Sequence, residues 1–200
     1  MRALDLNAAT RDLLAPVCRT CTWWQGELNG TADEDPRALW ERTVESEAGM
    51  FGRALIDGEA VLGWMQVAPA RLVPRARHLP AGPPSPDAWL LTCAYFYDEE
   101  YLGGFQHLLL EIEASLKHRR VAALEAFAVR RAPAGAPFTG YLRRLNLFHP
   151  EVLEGGGFRP VRSCGDVARY RLDLATVVAA PRRSRALEEV ERSGAAALPV

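Results

Sequence analysis

The chain has 200 residues, 48% of them apolar and 24% charged, with 24 basic against 25 acidic side chains and a formal net charge of −1. That composition describes one globular domain with room for a full core, and its balanced charge argues against a nucleic-acid partner, which calls for positive field gathered on one face. No run approaches the roughly 20 apolar residues of a membrane helix. Asp5, Arg11 and Asp12 interrupt any apolar signal core, so a cytoplasmic protein with no membrane partner is expected.

Met1 to Leu6 predicts a short strand, and Asn7 is placed to cap a helix through Leu14 that Pro16 stops. Cys18 and Cys21 have the C-x-x-C spacing of a zinc half-site or redox pair, but His78, His107, His118 and His149 are dispersed and supply no second cluster. Two small half-buried thiols before a strand, with no metal, are the expectation. A metal or redox site that adds Cys93 or Cys164 is the rival. Trp23 and Trp24, neighbours in that strand, would put one indole on each face.

Asp33 or Asp35 with Pro36 opens a clearer helix, in which Leu39, Trp40, Val44 and Ala48 recur at helical spacing until Gly49. Arg53 to Asp57 and Val61 to Ala68 flank Gly58-Glu59 and read as an antiparallel hairpin. Pro69 to Asp87 holds too many prolines for regular structure and reads as a long surface loop.

Ala88 to Phe127 is the most informative stretch. It reads as a strand (Trp89 to Tyr97), a turn with paired glycines (Tyr101, Leu102, Gly103, Gly104, Phe105, Gln106), an amphipathic helix (His107 to His118) and a second strand (Val121 to Val129). A glycine turn opening into a helix aims several backbone N–H groups at one spot, and the helix dipole adds positive potential there, so a phosphate is the natural guest. Beyond it come an irregular stretch (Arg130 to Gly140), a short helix around Tyr141 to Leu147 broken by Pro150, and Gly157-Phe158 leading into strands Arg159 to Ser163 and Val167 to Leu174. Residues 1–175 form the domain and 176–200 a tail. A single strand-helix-strand crossover among hairpins predicts an α/β fold with a mixed, mostly antiparallel sheet, one parallel strand pair and flanking helices.

This order of elements, with the residues at its joints, resembles the GNAT superfamily of N-acetyltransferases over about Met1 to Leu174. Leu62 to Val67 is similar to the family's third strand, Trp89 to Tyr97 to its fourth, Gly103 to Arg119 to its cofactor loop and third helix, and Val121 to Val129 to its fifth strand. Asn146 and Gly157-Phe158 stand at the separation of the Asn and Gly-Phe that flank the family's last helix. The loop pattern keeps Gly104, while Tyr101 and Gln106 depart from it, and Leu153 stands where many members carry a Tyr that protonates the departing thiolate.

The resemblance implies acetyl-CoA, or another acyl-CoA, and direct attack by a primary amine of a small molecule or peptide in a ternary complex. It implies that Phe96, Tyr97, Tyr101, Leu102, Gly103, Gly104, Phe105, Gln106, His107 and Asn146 hold the cofactor, and that a backbone N–H at Phe96 or Tyr97 receives the developing oxyanion. Among side chains, Tyr95 and Glu125 are candidates to move the amine proton, and Tyr141 is the candidate acid. The alternative is a GNAT-fold binding or regulatory protein with weak or no turnover. The sequence leaves the oligomeric state open, a homodimer included.

Overall fold

The computed structural model describes residues 1–25, 35–97, 102–130 and 147–176. Its seven strands are β1 (Arg2–Leu6), β2 (Gly52–Asp57), β3 (Ala60–Pro69), β4 (Ala88–Phe96), β5 (Ala123–Val129), β6 (Arg159–Cys164) and β7 (Val167–Asp173). The described α-helices are α1 (Pro16–Arg19), α2 (Pro36–Ala48), α3 (Leu102–His118) and α4 (Pro150–Gly155). One sheet runs β1-β2-β3-β4-β5-β7-β6. Every neighbouring pair is antiparallel except β4 and β5, as the single crossover demands.

Strand alternation sends two sets of side chains to opposite faces of this sheet. On one face Met65, Val67, Leu91, Leu124 and Ala126 meet Phe105, Leu108, Ile112 and Leu116 of α3. Each such burial is worth roughly 1.5–3 kcal/mol, which is why a helix with glycines in its first turn still forms. On the other face Trp64, Ala68, Leu90 and Phe127 meet Leu14, Trp24, Trp40 and Val44. Helix α2 begins as its sequence demands, with the Asp35 carboxylate accepting from the Arg37 N–H at 2.9 Å and Pro36 at the first helical position. It ends at Gly49, whose φ of 75° suits a residue without Cβ, and the Gly49 N–H closes on the Glu45 carbonyl at 2.7 Å.

Five expectations are corrected. Helix α3 starts at Leu102 rather than His107, because Phe105 packs between Phe96 and Phe148, at 6.3 and 6.2 Å between ring centroids, and draws the glycines into the first turn. Pro16 and Pro150 open helices instead of stopping them, since a first-turn residue needs no N–H. Ala8–Leu13 winds as a 3-10 helix, capped by Asn7 as expected. Residues 69–87 are a strap rather than a surface loop: short 3-10 turns bury Ala70, Val73, Ala76 and Ala81, and the Trp40 indole N–H donates to the Leu72 carbonyl at 2.6 Å. Trp23 and Trp24 lie in a turn, their rings edge to face at 4.7 Å, not on a strand. The helix expected at Tyr141 to Leu147 and the tail beyond Thr176 lie outside the described residues, save Leu147 itself, which is described and not helical.

Helix α3 carries one buried acid. Glu113 is 4% exposed, has no ion-pair partner among the described residues, and burial pushes its carboxyl up to about 7. A raised carboxyl makes the folded state bind the extra proton, so the native state is most stable below the unfolded value of 4.5 and loses that stability as pH rises to about 7. Glu113→Gln should therefore match the parent at pH 4 and exceed it by about 1–3 kcal/mol at pH 8. Urea unfolding at both pH values reads this directly, and a constant difference between the two proteins would contradict it.

Candidate functional site

The site is organised by a break in the sheet. Parallel pairing of β4 with β5 runs only from Ala88↔Ala123 to Leu91↔Ala126. The register between β3 and β4 then shifts at Gln66/Val67, so that Thr92 is an extra residue in β4, and beyond it β4 follows β3 alone through Gly63↔Phe96. A Cβ on Gly63 would collide with the Phe96 ring and the Tyr95 carbonyl, so glycine here lets the two strands stay in contact beyond the bulge. The strands β4 and β5 therefore splay apart beneath the N-terminus of α3.

Backbone groups in the splay are settled by register. The Tyr97 N–H donates to the Leu62 carbonyl at 3.1 Å, which points it at β3 and removes it as an oxyanion donor. Antiparallel alternation puts the N–H groups of Ala94 and Phe96 on the opposite edge, facing the splay, so of the two positions expected it is Phe96 that points the right way. On the far side, β5 is already engaged: the Phe148 N–H donates to the Phe127 carbonyl at 2.9 Å, and the Val129 N–H to the Phe148 carbonyl at 3.0 Å. Phe148 is fully buried and clips residues 147–149 into the splay against Phe105.

Above the splay, the first turn of α3 holds Leu102, Gly103 and Gly104, whose N–H groups come too early in the helix to reach one of its own carbonyls, followed by Phe105. A Cβ built on Gly103 meets none of the described residues within 4 Å. Gly104 and Phe105 are buried, Gln106 is exposed and His107 half-buried. Gln106 thus turns away from the packed interior. The side chain of Leu102, and Tyr101, Tyr141 and Asn146 altogether, lie outside the described residues.

On the opposite face of the same strand lies a partly open cleft of about 120 Å³, walled by Trp24, Trp64, Tyr95 and Cys93, with Gln25, Arg37 and Gln66 among its polar groups. The Trp64 and Tyr95 rings stack at 4.5 Å, 9° from parallel, and Tyr97 sets its ring edge-on to Tyr95 at 5.3 Å. Tyr97 is 51% exposed, and residual desolvation, followed by Tyr95, raises its phenol above the ordinary value.

Arg37 is 4% exposed and donates Nε to Glu41 at 2.6 Å, while Arg11 takes the other Glu41 oxygen. Gln66 gives its amide N–H to the Thr92 hydroxyl at 2.7 Å, tying the cleft floor to the bulge. Among the described residues neither amide atom of Gln25 has a hydrogen-bond partner, although the residue is fully buried.

The cysteines divide. Cys18, Cys21 and Cys93 line this one cleft, whereas Cys164 is exposed on β6. Among the described residues no group of His, Cys, Asp and Glu side chains could hold a metal ion, and no disulfide forms. Burial pushes the Cys93 thiol up to about 11, with Arg37 pulling it partly back, so at neutral pH it is a thiol and not a nucleophilic thiolate.

Glu125 sits elsewhere. It is fully buried under the strap, its carboxylate accepting from the Ser85 N–H at 3.0 Å, the Ser85 hydroxyl at 2.6 Å, Arg169 at 2.6 Å and Arg171 at 3.5 Å. It does not line the cleft. Leu153 is fully buried in the core beside α3.

Sequence reasoning missed Gln25, Arg37 and Glu41. The i, i+4 spacing of Arg37 and Glu41 was visible as an ion pair on a helix, but nothing in the sequence marked that face as buried. Among the described residues, no helix is long and apolar enough to cross a membrane.

No protein-family model matches the chain, and no curated protein matches it in sequence. Solved structures do. An aminoglycoside 6'-acetyltransferase type Ii is 13% identical over 92% of this chain and 100% of its own, with a TM-score of 0.51. An N-acetyltransferase from Staphylococcus aureus Mu50 is 14% identical over 86% of this chain and 98% of its own, with a TM-score of 0.50. A ribosomal-protein-alanine N-acetyltransferase from Brucella melitensis is 13% identical over 86% and 99%, also at 0.50. Identities this low establish a shared fold and nothing finer.

Proposed function

We propose, on the premise that this chain has the fold of the GNAT N-acetyltransferases, that it transfers an acyl group, acetyl in the first instance, from a coenzyme A thioester to a primary amine by direct attack in a ternary complex. One observation carries the reading: the splay under the first turn of α3 and the aromatic cleft lie on opposite sides of the same short piece of β4, Cys93 to Phe96. A donor and an acceptor placed in them meet at that strand.

The first-turn N–H groups of α3 suit the pyrophosphate, where the helix dipole favours negative charge. Asn146, Tyr101 and His107 are proposed as further contacts to the cofactor. The thioester supplies an activated carbonyl whose C–S bond breaks as the new C–N bond forms. The Phe96 N–H stabilises negative charge on that carbonyl oxygen. Tyr95, on the cleft wall, takes the amine proton through water, and Tyr141 is proposed to return a proton to the sulfur. Glu125, with its four donors, is assigned to the fold rather than to the chemistry.

Titration with acetyl-CoA while following thermal unfolding tests the first link. At a hundredfold excess over Kd the ligand should contribute about 2.7 kcal/mol, which for a chain of this size means a rise of roughly 5–10 °C. Release of free thiol on adding an amine mixture then tests turnover. No shift with acetyl-CoA, CoA or longer acyl-CoAs at millimolar concentration would overturn the proposal. The Phe148 clip on β5 favours a second reading, a GNAT-fold binding protein without turnover; a clear shift with no thiol release for any amine is its signature.

A further inference from the structure

We propose that the aromatic cleft selects an acceptor amine that also carries a carboxylate, bound by Arg37 and Gln25 while its apolar body lies against Trp24, Trp64 and Tyr95. This rests on the acyl-transfer reading for its use of the word acceptor, but the binding it describes does not require a thioester.

The first support is a deficit of hydrogen bonds. Gln25 is fully buried and among the described residues its Nε2 and Oε1 have no hydrogen-bond partner, nor has the Trp24 indole N–H, also buried in the cleft wall. A buried polar group left unpaired costs about 1–3 kcal/mol. Two such residues side by side in one cleft are what a polar ligand would satisfy. The Arg37 guanidinium adds to them: its Nε is on Glu41, its Nη1 reaches the Cys21 carbonyl at 3.4 Å, and its Nη2 makes no hydrogen bond among the described residues.

The second support is the placing of charge around Arg37. Glu41 is 4% exposed, and its two oxygens are shared by two cations, Arg37 on Oε1 and Arg11 on Oε2. Two guanidinium groups therefore share the one buried carboxylate of this network. The second counter-charge, Asp35, is 50% exposed and pairs with Arg11 at 3.7 Å, so among the described residues Arg37 has only the Glu41 carboxylate that it shares. Among the described residues that line the cleft none is acidic.

A single negative charge with two acceptor oxygens matches the free Nη2 of Arg37, the Gln25 amide N–H and the Trp24 N–H. The Gln25 carbonyl is left to accept from the ligand's own amine or amide. The stacked Trp64 and Tyr95 rings favour a flat or aliphatic body over a strongly hydrated one such as a sugar. A peptide C-terminus or an amino acid presents this combination, whereas a polyamine presents the wrong charge.

The test is binding to the full chain with no thioester present. Isothermal titration is run with phenylalanine, 4-aminobutyrate and a short peptide with a free C-terminus, each against a partner lacking the carboxylate: phenethylamine, butylamine and the peptide amide. At least one carboxylated ligand should bind at least 20-fold tighter than its partner. Gln25→Leu, which replaces an unpaired amide by an apolar side chain, should fold at least as well as the parent and bind that ligand five- to tenfold more weakly. Arg37→Lys, which keeps a cation beside Glu41, should weaken it further. Equal affinity for the two members of every pair, no binding by any of them at 10 mM, or unchanged affinity in both variants would overturn the proposal. Failure of the acyl-transfer reading shows instead as absent thiol release with this binding intact.

Discussion

Replacing Glu125 by alanine should cost about 3–5 kcal/mol, enough to leave much of the chain unfolded at 37 °C. The carboxylate is fully buried and joins three parts of the molecule: its own strand β5, the strap through Ser85, and β7 through Arg169 and Arg171. Arg171 has other partners, with Asp87 at 3.0 Å and Asp173 at 2.8 Å. Its guanidinium in turn holds the Asp87 carboxyl below the ordinary value. Among the described residues Arg169 has no second carboxylate; its other acceptors there are the Ala81 carbonyl and the Ser85 hydroxyl, and it is only 11% exposed. Alanine therefore strands a buried cation. Glu125→Gln keeps the shape and both Ser85 contacts while losing the charge, and should be milder. Denaturant midpoints for the two variants check the ranking. The glutamine variant also decides the role: acyl-transfer rates within a few fold of the parent in the folded fraction mark a structural residue, whereas a collapse of kcat with the fold intact would restore Glu125 as the base.

Gly103→Asp should do the reverse, abolishing cofactor binding in a protein that folds as well or better. Position 103 lies in the first turn of α3, and a Cβ there meets none of the described residues within 4 Å. Replacing glycine by aspartate in a helix gains only about 0.3 kcal/mol of intrinsic propensity, and an acid in the first turn about 0.3–1 kcal/mol more. The same carboxylate would stand where the pyrophosphate is proposed to bind. Like charges about 4 Å apart near a protein surface repel by about 4 kcal/mol, so affinity for acetyl-CoA should fall on the order of 100-fold or more. Thermal unfolding with and without acetyl-CoA reads both effects in one experiment. Leu110→Asp, at a 63% exposed position farther along the same helix, controls for added charge. Undiminished binding by Gly103→Asp would remove the α3 N-terminus from the site.

Local chemistry was legible, and long-range packing was not. The Asp35-Pro36 start and Gly49 stop of α2, the hairpin around Gly58-Glu59 and the strand-helix-strand crossover all came through, because each is written in a cap, a turn or a periodicity within a few residues. The crossover alone implied the one parallel pair and with it the mixed sheet. The first turn of α3 was misread because glycines look like a turn until Phe105 is seen wedged between Phe96 and Phe148. The strap was misread because its prolines forbid a ladder but not burial; small alanines and Val73 fit under the aromatic layer where a larger loop would not. The cleft was the least visible. Gln25, Arg37 and Glu41 are polar residues whose ordinary place is the surface, and only the meeting of the turn at Trp23-Trp24 with α2 takes them out of water.

The short β4 to β5 pairing also has a mechanical meaning. Four residue pairs are all that join the β1-β2-β3-β4 leaf to the β5-β7-β6 leaf within the sheet, while β3 and β4 are matched over seven and β5 and β7 over seven. The sheet is two stiff panels sewn along a brief seam, with α3 laid across the join and Phe148 as a single stitch at its open end. Strain entering either panel is concentrated at that seam, so the width of the opening is the most compliant dimension of the fold. A change in twist too small to disturb either core would still widen or narrow the opening.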